Sequence, residues 1–318
     1  MTRHFENDPP LTNRVEGDDM PLDPFAQQIN DLVAGARSGG DPGDPAVLRQ
    51  QWRDMLLLLP TTTRQCTSAT QLIAGVPCLV VAPPAPSGAV LVWFHGGGWV
   101  LGAPELSIAE VDQLAADLQC HVVSVDYRLA PEHRFPAAYD DAVAVTTALV
   151  SGEGRFTYDR GRVGVGGDSA GGNLAAAVAQ HVGHQLRAQL LVYPATDLAR
   201  QSPAAVEYAG GYLLSSPMMS WFAHQYVGNG DDTDPRCSPL RADRSVLASC
   251  PPAHVVVAEF DPLRDDGFDY AHALRDAGVP VTIDHREDMM HGFFGLAAVV
   301  PAAADAVRAA AVAIAPFL

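Results

Sequence analysis

One serine, one run of glycines, and a late acid and imidazole are the residues of this sequence whose types and spacing suit chemistry. The serine is Ser169, in Gly167-Asp168-Ser169-Ala170-Gly171. A short apolar strand carrying Val163 and Val165 precedes it, and an Ala- and Leu-rich helix follows. A strand that turns into a helix within one residue forces that residue into a strained backbone conformation, which neighbours without bulk permit. Gly167 and Gly171 supply that room, so the Ser169 hydroxyl is thrust out at the tip. The Ala170 N–H then lies at a helix N-terminus, where unpaired donors and partial positive charge collect. Upstream, Phe94-His95-Gly96-Gly97-Gly98-Trp99 follows another apolar strand. Consecutive glycines let backbone N–H groups approach a ligand without obstruction, as donors aimed at a developing oxyanion must. These residues suit attack by a hydroxyl on an acyl carbon. His95 is expected to hold the glycine loop rather than act as a base.

The hydroxyl needs a base, and composition narrows the choice. All 20 basic residues are arginine, which removes Schiff-base, Walker-A and Ser-x-x-Lys chemistries. His291 follows an apolar strand at 279–285 and a short acidic link, and Gly292-Phe293-Phe294 follows it. That places it on a loop before the last helix. His254 opens a strand and His272 falls within a helix, so both read as packing or surface residues. His181 and His184 form an H-x-x-H at a helix end without a third ligand at recognisable spacing, so no metal is expected. For the acid, Asp261 ends the apolar run His254–Phe260, and Pro262 stops the strand. Asp265 and Asp266 suit capping of the next helix. Ser169, then Asp261, then His291 is the chain order of α/β-hydrolases.

The elements that must position these residues alternate. Strand-like runs cover 77–82, 89–94, 121–126, 162–166, 189–193, 254–260 and 279–285; helical patterns cover 106–118, 136–150, 170–182, 265–277 and 302–315. Strands alternating with helices imply a mostly parallel sheet with helices on both faces. No helix separates the first strands, which implies an antiparallel start to a mixed sheet. Two amphipathic helices, at 21–37 and around Val47–Leu56, precede every strand, with a Gly- and Pro-rich break at 39–45 between them. The stretch from Pro194 to Pro251 lacks a strand but has a helical segment at 216–227. An insertion of that length is functional more often than not. It is expected to join the N-terminal helices as a cap over the strand ends, where ligands bind in open α/β sheets. The division is then 1–55 tail and cap helices, 56–200 core, 201–240 cap insertion and 241–318 core.

With 318 residues, 48% of them hydrophobic, the chain can bury a large core. Its net charge of −17 disfavours nucleic acid and anionic membranes as partners. Five scattered cysteines without a C-x-x-C point to a reducing compartment. The polar N-terminus lacks the apolar core of a secretory leader, and no run is long enough to span a bilayer. A cytoplasmic protein is expected.

The chain resembles the bacterial hormone-sensitive-lipase-type (family IV) carboxylesterases from about Pro77 onward. The resemblance rests on His95-Gly96-Gly97-Gly98-Trp99, Asp126-Tyr127-Arg128-Leu129-Ala130-Pro131-Glu132-His133, Gly167-Asp168-Ser169-Ala170-Gly171-Gly172-Asn173, Asp261-Pro262-Leu263-Arg264-Asp265-Asp266-Gly267, His291-Gly292-Phe293, and Gly211-Tyr212-Leu213-Leu214 in the cap. It implies an α/β-hydrolase fold with a small helical cap. It also implies a catalytic set Ser169, Asp261, His291, and an oxyanion hole of the Gly97, Gly98 and Ala170 N–H groups. No cofactor is implied. The Asp126–His133 block is expected to brace the active-site loops. Cap residues Tyr212, Leu213, Met218, Trp221 and Phe222, together with Trp99, are expected to line the substrate site. The substrate expected is a small ester of short to medium acyl chain, cleaved through an acyl-enzyme. A homodimer through the edge strand near 279–283 and the last helix fits the same resemblance. Two alternatives share the fold: a ligand-binding relative, which the presence of His291 argues against, and an amidase or dehydratase, which the three residues do not separate.

Overall fold

Strand β3 (Val90–Phe94) shows how the core is built, because all five of its residues are buried. Val90, Val92 and Phe94 enter one apolar cluster, with Val145 and Leu174, while Leu91 and Trp93 enter the other, with Leu114 and Val307. Successive side chains of a strand point to opposite faces, so a run apolar at every position requires helices on both. The computed structural model describes residues 21–36, 43–57 and 64–318; the predicted tail and most of the break at 39–45 lie outside the described residues.

In chain order, α1 (Pro24–Ala36) and α2 (Pro45–Leu57) precede β1 (Thr67–Ile73), β2 (Val76–Ala82) and β3. Then follow α3 (Ile108–Leu118), β4 (His121–Val125), α4 (Ala137–Ser151), β5 (Val163–Asp168), α5 (Ala170–Val182) and β6 (Gln189–Val192). Helices α6 (Pro203–Glu207), α7 (Ser216–Val227) and α8 (Arg244–Leu247) come before β7 (Ala253–Phe260), α9 (Arg264–Asp276), β8 (Val281–Met290) and α10 (Pro301–Ile314). The eight strands form one sheet in the order β1-β2-β4-β3-β5-β6-β7-β8. The β1–β2 and β2–β4 pairs are antiparallel and the other neighbours are parallel, the mixed α/β-hydrolase architecture expected. Chain order reverses where β3 lies between β4 and β5, so the loops leaving β3 and β5 diverge and open a crevice at the strand ends. The glycine run and Ser169 sit on those loops.

Two strands differ from expectation. Strand β1 was not expected, since its residues are mostly polar and only Ile73 is buried. A two-residue turn makes it: Ala74 and Gly75 both take positive φ (50° and 82°), and Ile73 pairs with Val76. Strand β8 runs to Met290, through the segment read as an acidic link. As an edge strand it pairs with β7 alone among the strands, so Arg286–Asp288 sit where charge is tolerated. All five cysteines are buried and unpaired. No helix among the described residues is long and apolar enough to cross a membrane.

Candidate active site

Ser169 occupies the single residue between β5 and α5 and has φ 55°, ψ −117°, a conformation costly for a residue with a Cβ. Its N–H donates to Val192 O at 2.9 Å, which ties the turn to the neighbouring strand β6. Asp261 directly follows β7 and is fully buried. Its Oδ1 accepts the Leu263 N–H at 2.8 Å, which leaves Oδ2 for another donor. His291 directly follows β8. Its Nδ1–H donates to Asp261 Oδ2 at 2.7 Å, and the Ser169 hydroxyl donates to its Nε2 at 2.9 Å. A carboxylate on Nδ1 selects the tautomer whose Nε2 can accept. The imidazole is further held against the ring of Tyr193, with centroids 4.6 Å apart. Side chains from three parts of the chain thus meet in one relay.

The glycine run turns at the end of β3. The Val100 and Leu101 N–H groups both donate to Gly97 O, at 3.1 and 2.8 Å. Gly97 and Gly98 have φ of 116° and 60°. The N–H groups of Gly97, Gly98 and Ala170 make no hydrogen bond among the described residues, and all three residues line the same cavity as Ser169. His95 is buried, donates Nδ1–H to Gly96 O at 2.7 Å, and burial lowers its pKa to about 4. It is therefore neutral and holds the loop. The Asp126–His133 block contributes Tyr127, whose hydroxyl donates to His95 O at 2.7 Å. It also contributes Arg128, whose guanidinium forks onto Asp141 at 2.7 and 2.8 Å.

The cavity encloses about 860 Å³. Its walls include Ile29 and Val33 of α1, Trp52 and Met55 of α2, and Met218 and Phe222 of α7. Of the residues expected to line it, Trp99, Leu213, Met218 and Phe222 do. Trp99 is only 3% exposed, because its indole stacks on Tyr226 at 4.4 Å. Tyr212 and Trp221 are not among the lining residues. Tyr212 packs against Phe260 at 5.2 Å, and Trp221 lies edge-on to Phe222 at 5.3 Å. Asp265 and Asp266 are also placed differently from a helix cap. Asp265 Oδ2 accepts from Ala204 N–H at 2.8 Å, and Asp266 Oδ2 accepts from Thr196 and Asp197 N–H at 2.8 and 3.2 Å. They tie the first turn of α9, just after Asp261, to α6 and to the segment after β6.

Two acids near Ser169 were not singled out from sequence. Asp168 Oδ1 accepts the Gly96 N–H at 2.8 Å, which joins the serine turn to the glycine loop. Glu110 lines the cavity, and burial together with the neighbouring Asp168 holds its carboxyl well above the usual range. The signal for Asp168 was its place before the serine; for Glu110 there was none.

Burial also raises the Asp168 and Asp266 carboxyls to about 6 each, against backbone donors that lower them. Both groups bind a proton more tightly folded than unfolded. Each therefore costs stability progressively as pH rises from about 4, and fully above about 6. Asp168→Asn keeps an acceptor for Gly96 and removes the charge. The variant is expected to exceed the parent in stability at pH 8 by on the order of 2 kcal/mol, with the gap closing toward pH 4. Urea unfolding across that range reads it, and a gap independent of pH would contradict it.

Comparison with known proteins gives the family. The profile of a family described as alpha/beta hydrolase fold matches residues 91–295. The chain is 40% identical over 238 residues to esterase LipI of Mycobacterium tuberculosis, covering 73% of this chain and 74% of that one. It is 38% identical over 223 residues to an ethyl acetate hydrolase of Pseudomonas putida, covering 68% and 70%. Among solved structures, an esterase of Pyrobaculum calidifontis superposes with a TM-score of 0.82 at 34% identity, covering 93% of this chain and 99% of that one. By fold, sequence and relatives, the chain belongs to the hormone-sensitive-lipase-like carboxylesterases of the α/β-hydrolase fold.

Proposed function

We propose that this carboxylesterase cleaves small esters of about four to eight carbons in a largely apolar cavity, with Ser169, His291 and Asp261 as its catalytic triad. The observation that carries the reading is the unbroken relay of 2.9 and 2.7 Å from Ser169 Oγ through His291 to Asp261. His291 Nε2 takes the Ser169 proton as Oγ bonds to the ester carbonyl carbon. The carbonyl electron pair moves onto oxygen, where the N–H groups of Gly97, Gly98 and Ala170 stabilise it. Each such donor is typically worth about 3–4 kcal/mol. Collapse breaks the bond to the alkoxide, which leaves with the His291 proton and yields acyl-Ser169. Water then gives a proton to His291 and adds to the acyl carbon. A second collapse releases the carboxylic acid and returns the proton to Ser169.

The cap reading, α1 and α2 with the 201–240 insertion, draws support from the cavity walls these segments supply. An acyl chain must fit under them, and a similar enzyme acts on ethyl acetate. The five unpaired, buried cysteines support a reducing compartment such as the cytoplasm. A series of p-nitrophenyl esters of increasing acyl length, with Ser169→Ala as the blank, tests the substrate range. The expected profile peaks in the middle of the series. Activity climbing steadily to long-chain emulsions would overturn it.

A further inference from the structure

Helix α2 covers part of the site, yet none of its described side chains is fully buried. Leu48 and Trp52 pack only in part against the core, while Trp52, Met55 and Leu56 line the cavity. Apolar contact of that kind holds a short helix weakly. One side chain on the same helix face, Arg49, makes a different attachment. Its Nε donates to Val100 O at 2.7 Å, its Nη2 to Ala130 O at 2.6 Å, and Nη1 and Nη2 to the two oxygens of Glu132 at 2.8 and 2.7 Å.

We infer that Arg49 is a specificity-determining latch, fastening α2 over the cavity to the carbonyls of Val100 and Ala130 and so holding the wall against which a longer acyl chain packs. This rests on the esterase reading above. Both carbonyls belong to segments tied to the glycine turn: Val100 N–H donates to Gly97 O and Ala130 N–H to Trp99 O at 2.9 Å. Movement of α2 is therefore referred directly to the loop beside Ser169.

Magnitudes rank the partners. The Glu132 side chain is 55% exposed, so its ion pair with Arg49 is screened and contributes little by itself. It keeps the guanidinium in plane, where the planar fork can also reach the carbonyls. A lysine ammonium at position 49 cannot span Val100 O, Ala130 O and Glu132 together. Arg49 touches no reacting atom and is a positioning residue.

The test compares parent, Arg49→Ala, Arg49→Lys and Glu132→Gln on p-nitrophenyl hexanoate and acetate. For the parent the ratio of kcat/KM, hexanoate over acetate, reports packing of the longer chain. The ratio is expected to fall about tenfold in Arg49→Ala, less in Arg49→Lys, and little in Glu132→Gln, as for loss of one set of binding contacts. In parallel, trypsin cleavage after Arg53, an exposed residue of α2, is expected to speed up in the same order. A residue serving only global stability would lower both substrates alike and leave the ratio unchanged, which overturns the latch. Should Arg49→Ala fail to fold, Arg49→Lys decides by the same ratio. A parent inactive on every ester would sink the esterase reading instead, and unchanged cleavage after Arg53 would then overturn the latch by itself.

Discussion

Replacing Ser169 with alanine is expected to lower kcat on a short p-nitrophenyl ester roughly ten-thousand- to million-fold, with KM little changed. The substitution removes one oxygen that does not pack in the core, so folding should be unaffected. What is lost is the one hydroxyl that, among the described residues, is hydrogen-bonded to His291 Nε2, at 2.9 Å. His291→Ala is expected to cost a similar factor, because nucleophile and base act as one unit and their losses do not add. The double variant should accordingly be no slower than either single one. Steady-state rates with the parent as reference provide the measurement. Equal rates for parent and Ser169→Ala would mean that hydrolysis, if any, occurs elsewhere.

Gly171→Ala is expected to destabilise the protein by more than about 4 kcal/mol or to prevent folding, an effect at the far end of single substitutions. The reason is close approach, since Gly171 does not take a positive φ. A Cβ there would fall on the Phe94 carbonyl oxygen, 2.5 Å from Phe94 C and 2.6 Å from His95 O. All of those atoms are backbone, at the point where β3 ends and the glycine loop begins, so nothing flexible can move aside. Gly210→Ala serves as the control, because its Cβ would meet nothing within 4 Å. Urea denaturation of both variants should separate them. A Gly171→Ala protein as stable as Gly210→Ala would show that helix α5 can shift away from β3, contrary to the packing described.

Much of this was legible in the sequence where the physics is local. A strand apolar at every position, as in β3, reads as buried on both faces, and a serine between two glycines at a strand–helix junction reads as a tight turn. The misreadings share a cause: partners far away in the chain. The polar strand β1 exists because β2 pairs with it, and Thr67-Ser68-Ala69-Thr70-Gln71 carries no apolar signal of its own. The charged residues 286–288 read as a link because charge normally leaves a strand, and only the sheet order shows them to be on its edge. Asp266 looked like a helix cap, yet it holds Thr196 and Asp197, some 70 residues earlier. Tyr212 and Trp221 have the right composition for a cavity wall but pack against Phe260 and Phe222 without lining it. The type of a side chain on a short helix does not say which neighbour it meets.

The order of strands across the sheet also bears on when the protein becomes active as it is made. The β3–β5 centre of the sheet, with the serine turn and glycine loop, is encoded within the first 171 residues. His291 lies 122 residues beyond Ser169 and directly follows β8, a strand at the edge of the sheet. Contacts between distant parts of a chain close late, because the entropy of loop closure opposes them until much of the sheet is in place. A growing chain can thus bury most of its apolar strands while Ser169 still lacks the base proposed for it. With Ser169 and His291 in the roles proposed, the chain can first cut an ester only once His291, just past the last strand, has been made.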